Sequence, residues 1–208
     1  MRASDIVRCS EFPCTDILKN LFVVPGAEVD PSSIKMMLIC EAPPPDPQDY
    51  FYAEGDAFYL KTLLQAFQDA GADVAGMATV LRAGAYVTTA VKCGKTGYAI
   101  STDTTRNCSA VLEKEIDLFP EVEVYLLMGD VAIKAVNYIS KRRTGKAVIP
   151  PGSTYKIRQG EFFFRGKPAL PSYTPTGHNY LIEKSKRRMI AEDIRRALEI
   201  SGSPRARA

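Results

Sequence analysis

A chain of 208 residues with 46% apolar and 25% charged content is long enough to bury a substantial core and has the make-up of an ordinary soluble globular protein. No apolar run approaches the ~20 residues of a membrane span, and the N-terminus, MRASDIVRCSEF, carries no apolar signal-peptide core. A cytoplasmic protein is expected, which argues against structural disulfides and turns the five cysteines toward metal or redox roles, while a net charge of +3 is too small to establish an anionic partner.

In chain order, SIKMMLICEA (33–42) reads as a short, continuously apolar strand that runs into the Pro-rich loop PPPDPQDYF, where three consecutive prolines forbid helix. DAFYLKTLLQAFQDAG (56–71) has helical spacing and closes on Gly71 as a C-cap. AYVTTAVKC (85–93) is a β-branched strand, and SAVLEKEIDLF (109–119) a helix with Asn107 as its N-cap. VEVYLLMG (122–129) is strand again, after which Asp130 caps the helix VAIKAVNYISKRR. TYKIRQGEFFFRG has the alternation of a hairpin centred on Gly160; PALPSYT is a last short strand, and LIEKSKRRMIAEDIRRALEI a closing amphipathic helix.

This alternation predicts one domain over 1–200, with 201–208 as a basic tail. Its fold class is a three-layer α/β/α sandwich around a central, mostly parallel four-stranded sheet. In such folds ligands bind outside the C-terminal ends of the strands. Those ends are Glu41–Pro43, Thr89–Cys93, Gly129–Asp130 and Tyr173–Thr176.

Two cysteines sit on loop margins rather than inside apolar patterns: Cys93 ends a strand, and Cys108 precedes a helix. With "CEAPP" (40–44), "TAVKCGK" (89–95), "RNCSAVLEKEI", "LFPEVEVYLLMG" and "PSYTPTGHNYL" ahead of "AEDIRRAL", they form an ordered set over almost the whole chain. The set resembles the uracil-DNA glycosylase superfamily, and most of all its iron–sulfur branch, the family 4 enzymes of archaea and bacteria. That resemblance implies a 4Fe–4S cluster held by four cysteines, here Cys9 and Cys14 of "RCSEFPC" with Cys93 and Cys108. Four cysteines also suit tetrahedral zinc, and free buried thiols are the plain alternative. Cys40, inside the first strand, is expected to be core packing.

The resemblance further implies excision of a deaminated or damaged base from single- or double-stranded DNA by a monomeric enzyme. The base is flipped into a pocket, stacked on an aromatic ring and read along its edge. Its departing negative charge is stabilised while a water attacks the sugar. Glu41 matches the residue assigned to the water, with Ala42 and Pro43 beside it. Tyr52, or alternatively Phe51, takes the stacking position. Thr89 stands where the family reads the base with Asn, and Thr174 where it has His; a threonine hydroxyl donates one hydrogen bond but carries no charge. Either the base differs, or His178, the only histidine, reaches in from the same loop, or activity is weak or absent. Asn179 would read a base edge, and Tyr180 or Leu181 would fill the space a flipped base leaves. A non-catalytic nucleic-acid binder on the same scaffold is the competing reading.

Basic residues are unevenly placed. Lys184, Lys186, Arg187 and Arg188 follow the last site loop and are candidates for phosphate contacts, and Lys141, Arg142, Arg143 and Lys146 form a second group. Each is equally read as a solvated helix face.

Overall fold

The computed structural model describes residues 1–97 and 99–202, apart from the side chains of His178 and Asn179. Helix α1 (Ala3–Ile6) and strand β1 (Ile17–Phe22) come first. They are followed by β2 (Met36–Cys40), α2 (Phe58–Asp69), α3 (Met77–Arg82), β3 (Ala85–Thr89), β4 (Cys93–Lys95), α4 (Thr102–Ile116) and β5 (Val124–Met128). The rest of the chain forms α5 (Asp130–Thr144), α6 (Thr154–Ile157), β6 (Phe163–Phe164), β7 (Lys167–Ser172), α7 (His178–Ile182) and α8 (Lys184–Ile200).

The main sheet has the order β3-β2-β5-β7-β6. Its first four strands are parallel, as expected; the fifth, the two-residue β6, adds an antiparallel edge. Every residue of β2, β3 and β5 is buried, the pattern of strands covered by helices on both faces. Met37 and Ile39 face a core completed by Leu112 of α4 and Val136 of α5. Met36 and Leu38 face the opposite core, with Leu63 and Phe67 of α2 and Ile194 of α8. Each such side chain contributes about 1.5–3 kcal/mol on burial, which makes the alternation along β2 the strongest determinant of the layering.

Several expected boundaries move for identifiable reasons. Helix α4 starts at Thr102, because Ser101 Oγ accepts the Thr104 amide at 3.1 Å and caps it; Asn107 and Cys108 therefore lie within the helix rather than before it. Asp130 is the first residue of α5 instead of its cap, and Gly129 holds the cap position with φ +105° and no capping side chain of its own. No hairpin centres on Gly160. Residues Thr154–Ile157 are helical, and the turn joining β6 to β7 falls on Arg165 and Gly166, both at positive φ as in a type I′ turn. The closing helix is two, α7 and α8, broken at Glu183.

Strands β1 and β4 pair antiparallel in a separate small sheet, with Phe22 opposite Cys93. Its strands are far apart in sequence, and the N-terminal segment shows no period that announces one. Of the expected tail, residues 203–208 lie outside the described residues. Among the described residues no helix is long and apolar enough to cross a membrane.

Candidate active site and thiol site

The C-terminal ends of the parallel strands are tied side by side. Ala90 and Val91 donate their amides to the carbonyls of Cys40 (2.8 Å) and Glu41 (2.9 Å), and Gly129 donates to that of Ser172 (2.9 Å). Above these ends opens a pocket of about 550 Å³ lined by Glu41 and Ala42, by Thr174 and Thr176, by Tyr59 of α2, and by Asp130, Val131 and Lys134 of α5. The structure thus brings together Glu41, Ala42 and Thr174, three residues expected from sequence. Glu41 Oε1 accepts the Val131 amide at 3.4 Å, so this carboxylate supplies the cap that Gly129 lacks and lies at the positive end of the α5 dipole. The hydroxyls of Thr174 and Thr176 lie 2.9 Å apart.

The pocket's aromatic wall is not the one expected. Phe51 is fully buried, and the Tyr52 hydroxyl donates to the Val87 carbonyl at 2.8 Å, which holds its ring against the sheet. Neither lines the pocket; Tyr59 does, seven residues after Tyr52 and in the first turn of α2, in contact with the Phe51 ring at 5.5 Å. Burial pushes the Tyr59 phenol up, with Cys40 and Glu41 adding to the rise and the Thr176 hydroxyl opposing it. The helical period of 58–69 was legible in sequence, but which of its faces meets the strand ends was not.

Thr89 is likewise withdrawn. It is wholly buried at the end of β3, and neither its hydroxyl nor that of the neighbouring Tyr50 finds a well-formed hydrogen bond. Pro43 lines a different, smaller hollow with Pro44, Pro47 and Tyr50, against Leu21–Val23. Tyr180 is 3% exposed and belongs to the core, whereas Leu181 and Ile182 project into solvent at 51% and 74%. The side chains of His178 and Asn179 lie outside the described residues.

Cys9, Cys14, Cys93 and Cys108 all line a second pocket of about 400 Å³, enclosed by Phe12, Phe22, Val91 and Val111. The first two sulfurs belong to half-buried residues and the other two to buried ones, and all are free thiols. Burial, then the neighbouring Cys108, Cys9 and Cys14, push the Cys93 thiol up to about 12; burial likewise raises Cys108 to about 11 against the Lys92 amide and ammonium. Four thiols around one hollow are an all-sulfur donor set of the kind that iron–sulfur clusters use. Among the described residues no three His, Cys, Asp or Glu side chains are grouped so as to hold a single ion. Cys40 stands apart, 2% exposed in the core.

The N-terminal cysteine segment has one protein tether to α4. Asp16 accepts the Ser101 amide at 2.7 Å and the Thr104 hydroxyl, so a residue just after Cys14 clamps the first turn of the helix bearing Cys108.

A family model, the uracil DNA glycosylase superfamily, matches residues 27–197. The chain belongs to that superfamily. Among solved structures it is similar to the wild-type UNG of Nitratifractor salsuginis at 14% identity, with 82% of this chain and 75% of that one covered and a TM-score of 0.41. A tyrosine-to-glycine mutant of the same protein gives 14%, 82%, 76% and 0.41. Comparison with curated protein sequences gives no match.

In this superfamily member the basic runs are largely engaged at home. Arg187 forks onto both oxygens of Asp69 (2.8 Å for one), Lys186 pairs with Glu183 at 2.7 Å, and Arg188 reaches Glu192 only at 3.8 Å. Arg142 and Arg143 share Glu113 at 2.8 and 2.6 Å. Of the four expected phosphate contacts, Lys184 and Arg188 are exposed, while Arg187 is better described as a strut between α8 and α2.

Proposed function

We propose that this chain hydrolyses the N-glycosidic bond of a deaminated or damaged base, uracil or a close relative, flipped out of DNA. The observation that carries the reading is that Glu41 and Thr174, from two different strand ends, share one pocket with an aromatic wall. A hollow of about 550 Å³ is within the range that encloses a small ligand.

In this reading Tyr59 stacks on the flipped base, and the Thr174 hydroxyl donates to the base oxygen on which negative charge develops. Glu41 orients and deprotonates the attacking water. Its capping bond to Val131 engages one oxygen and leaves the other for the water. Leu181 and Ile182, exposed beside the site loop, fill the vacated stack. Lys184 and Arg188 meet the flanking phosphates.

Cys9, Cys14, Cys93 and Cys108 hold a 4Fe–4S cluster whose role is to fasten the N-terminal segment to α4. What supports a cluster is that all four cysteines line one pocket, an all-thiolate donor set.

A second reading, a non-catalytic DNA binder, is favoured by Glu41 having a structural duty and by Thr89 being sealed from the pocket. Strand incision over a panel of modified bases in single- and double-stranded oligonucleotides separates the two. Cleavage at uracil or a related base supports the glycosylase; binding with no cleavage of any base supports the binder.

A further inference from the structure

Lys92 is fully buried, and every polar group it carries is engaged. Its ammonium donates to Thr88 Oγ1 at 2.7 Å and to the Thr89 carbonyl at 2.5 Å, and pairs with Glu115. Three donors thus find three acceptors. Glu115, equally buried, also accepts from the Tyr86 hydroxyl at 2.8 Å and from Thr88 Oγ1 at 2.9 Å. The Lys92 amide donates to Cys108 Sγ at 3.2 Å, and its carbonyl accepts the Val23 amide at 2.7 Å.

A buried ion pair is poor evidence for stability, because apolar residues of equal volume often do as well; what a fully satisfied one fixes is relative position. Here the positions are those of two sites. On one side Lys92 adjoins Cys93 and holds the sulfur of Cys108, while its partner Glu115 rides on the same helix two turns further along. On the other side it pins Thr88 and Thr89, and the next two residues donate their amides to the Cys40 and Glu41 carbonyls. Val91, which also lines the thiol pocket, joins the Glu41 carbonyl directly, and the Lys92–Glu115 pair braces this short backbone path against α4.

We propose that Lys92 is a positioning residue through which the state of the four-cysteine site sets the placement of Glu41. Loss of a thiol from that site loosens α4 against the 88–92 segment, and the Lys92–Glu115 pair passes the change to the strand end that carries the carboxylate. The inference rests on the functional reading only in taking the Glu41 pocket as the receiving end.

Hydrogen–deuterium exchange of the full chain, followed by mass spectrometry on peptides covering 86–92, tests it without DNA. The Lys92 hydrogen bonds run to Thr88, Thr89, Glu115, Cys108 and Val23 rather than to Cys14, so Cys14→Ser perturbs the thiol site without removing any of them. It is expected to speed exchange at Ala90 and Val91 about tenfold, the response of a locally weakened unit. In the background of Lys92→Met with Glu115→Leu, which keeps volume but removes the pair, the same substitution is expected to add nothing. Unchanged exchange at 90–91 in Cys14→Ser alone overturns the proposal, and this arm needs no core variant to fold. An undiminished effect in the paired background also overturns it. Because no base is cleaved in this experiment, a negative incision assay leaves its outcome intact.

Discussion

The Glu41 carboxylate lies directly over Gly129: a Cβ built on that glycine would stand 2.5 Å from Oε1 and 2.7 Å from Cγ. One side chain at the end of β2 therefore caps α5 and lines the pocket, and it does both only because residue 129 has no side chain.

Gly129→Ala is expected to cost about 1–3 kcal/mol, since φ +105° is disfavoured for any side chain and the new methyl must evict the carboxylate. Gly145→Ala is the control: its φ of +74° carries roughly 1–2 kcal/mol of strain, but nothing lies within 4 Å of the added atom. Urea unfolding should find both destabilised, while base excision should fall only in the first.

Glu41→Gln keeps a carbonyl oxygen to accept the Val131 amide but cannot take a proton from water. Excision should drop about 10²–10⁴-fold, the range for loss of a general base, with little change in melting temperature. Glu41→Ala should lose the same activity and in addition about 1 kcal/mol of stability with the cap. A Gln variant as active as the wild type would leave Glu41 only its capping role.

Purified without oxygen, the protein should be brown and contain about four irons per chain. Cys93→Ser and Cys108→Ser should bleach it, whereas Cys40→Ser, in the core and away from the thiol pocket, should keep the colour. A colourless preparation with one zinc per chain would replace the cluster by zinc at the same ligands.

Burial pushes the Asp16 carboxyl up, but the Thr104 hydroxyl and the Ser101 amide outweigh it and hold the group below its ordinary value of 3.8. A depressed carboxyl stabilises the folded state above the unfolded value, and that stabilisation is lost as pH falls through the folded one. The N-terminal clamp should therefore be intact at neutral pH and weaken below about pH 4. Limited proteolysis across 8–16 with an acid protease should show cleavage rising as pH drops, and Asp16→Asn should remove most of that dependence.

DNA affinity should fall with salt, and Lys184→Ala with Arg188→Ala should lower the log–log slope by about two units, near 0.9 per phosphate contact. Arg187→Ala should instead act on stability, because it removes the charge partner of Asp69 and one of the ties between α8 and α2. An unchanged slope in the double variant would mark the run as a solvated helix face.

Much of this molecule follows from local pattern. The fully apolar strands, the helical period of α2, and the Gly and Pro punctuation placed the layers and predicted that function would gather at the strand ends, because each depends only on neighbours a few residues away. The strand ends put Glu41 and Thr174 on a short list, whereas their roles and the grouping of the four cysteines came only from the family resemblance. Local pattern failed where a distant partner overrode the local signal. Ser101 and Asp16, not Asn107, start α4; Glu41, not Asp130, caps α5; β1 exists because β4 pairs with it.

Facing is the other limit. Sequence spacing put an aromatic near the site but could not tell Phe51 and Tyr52, folded into the core, from Tyr59, turned to the pocket. Nor does any local rule mark Lys92 as buried. A lysine between a strand and a cysteine reads as solvent-exposed until an acidic residue 23 positions away meets it inside the protein. The chain alone thus determined the strands, the helices and the chemical inventory at the strand ends. Only tertiary packing decided which of those groups face the pocket, which face each other, and which charge is hidden, because desolvation and long-range hydrogen bonds exist only once the layers have closed.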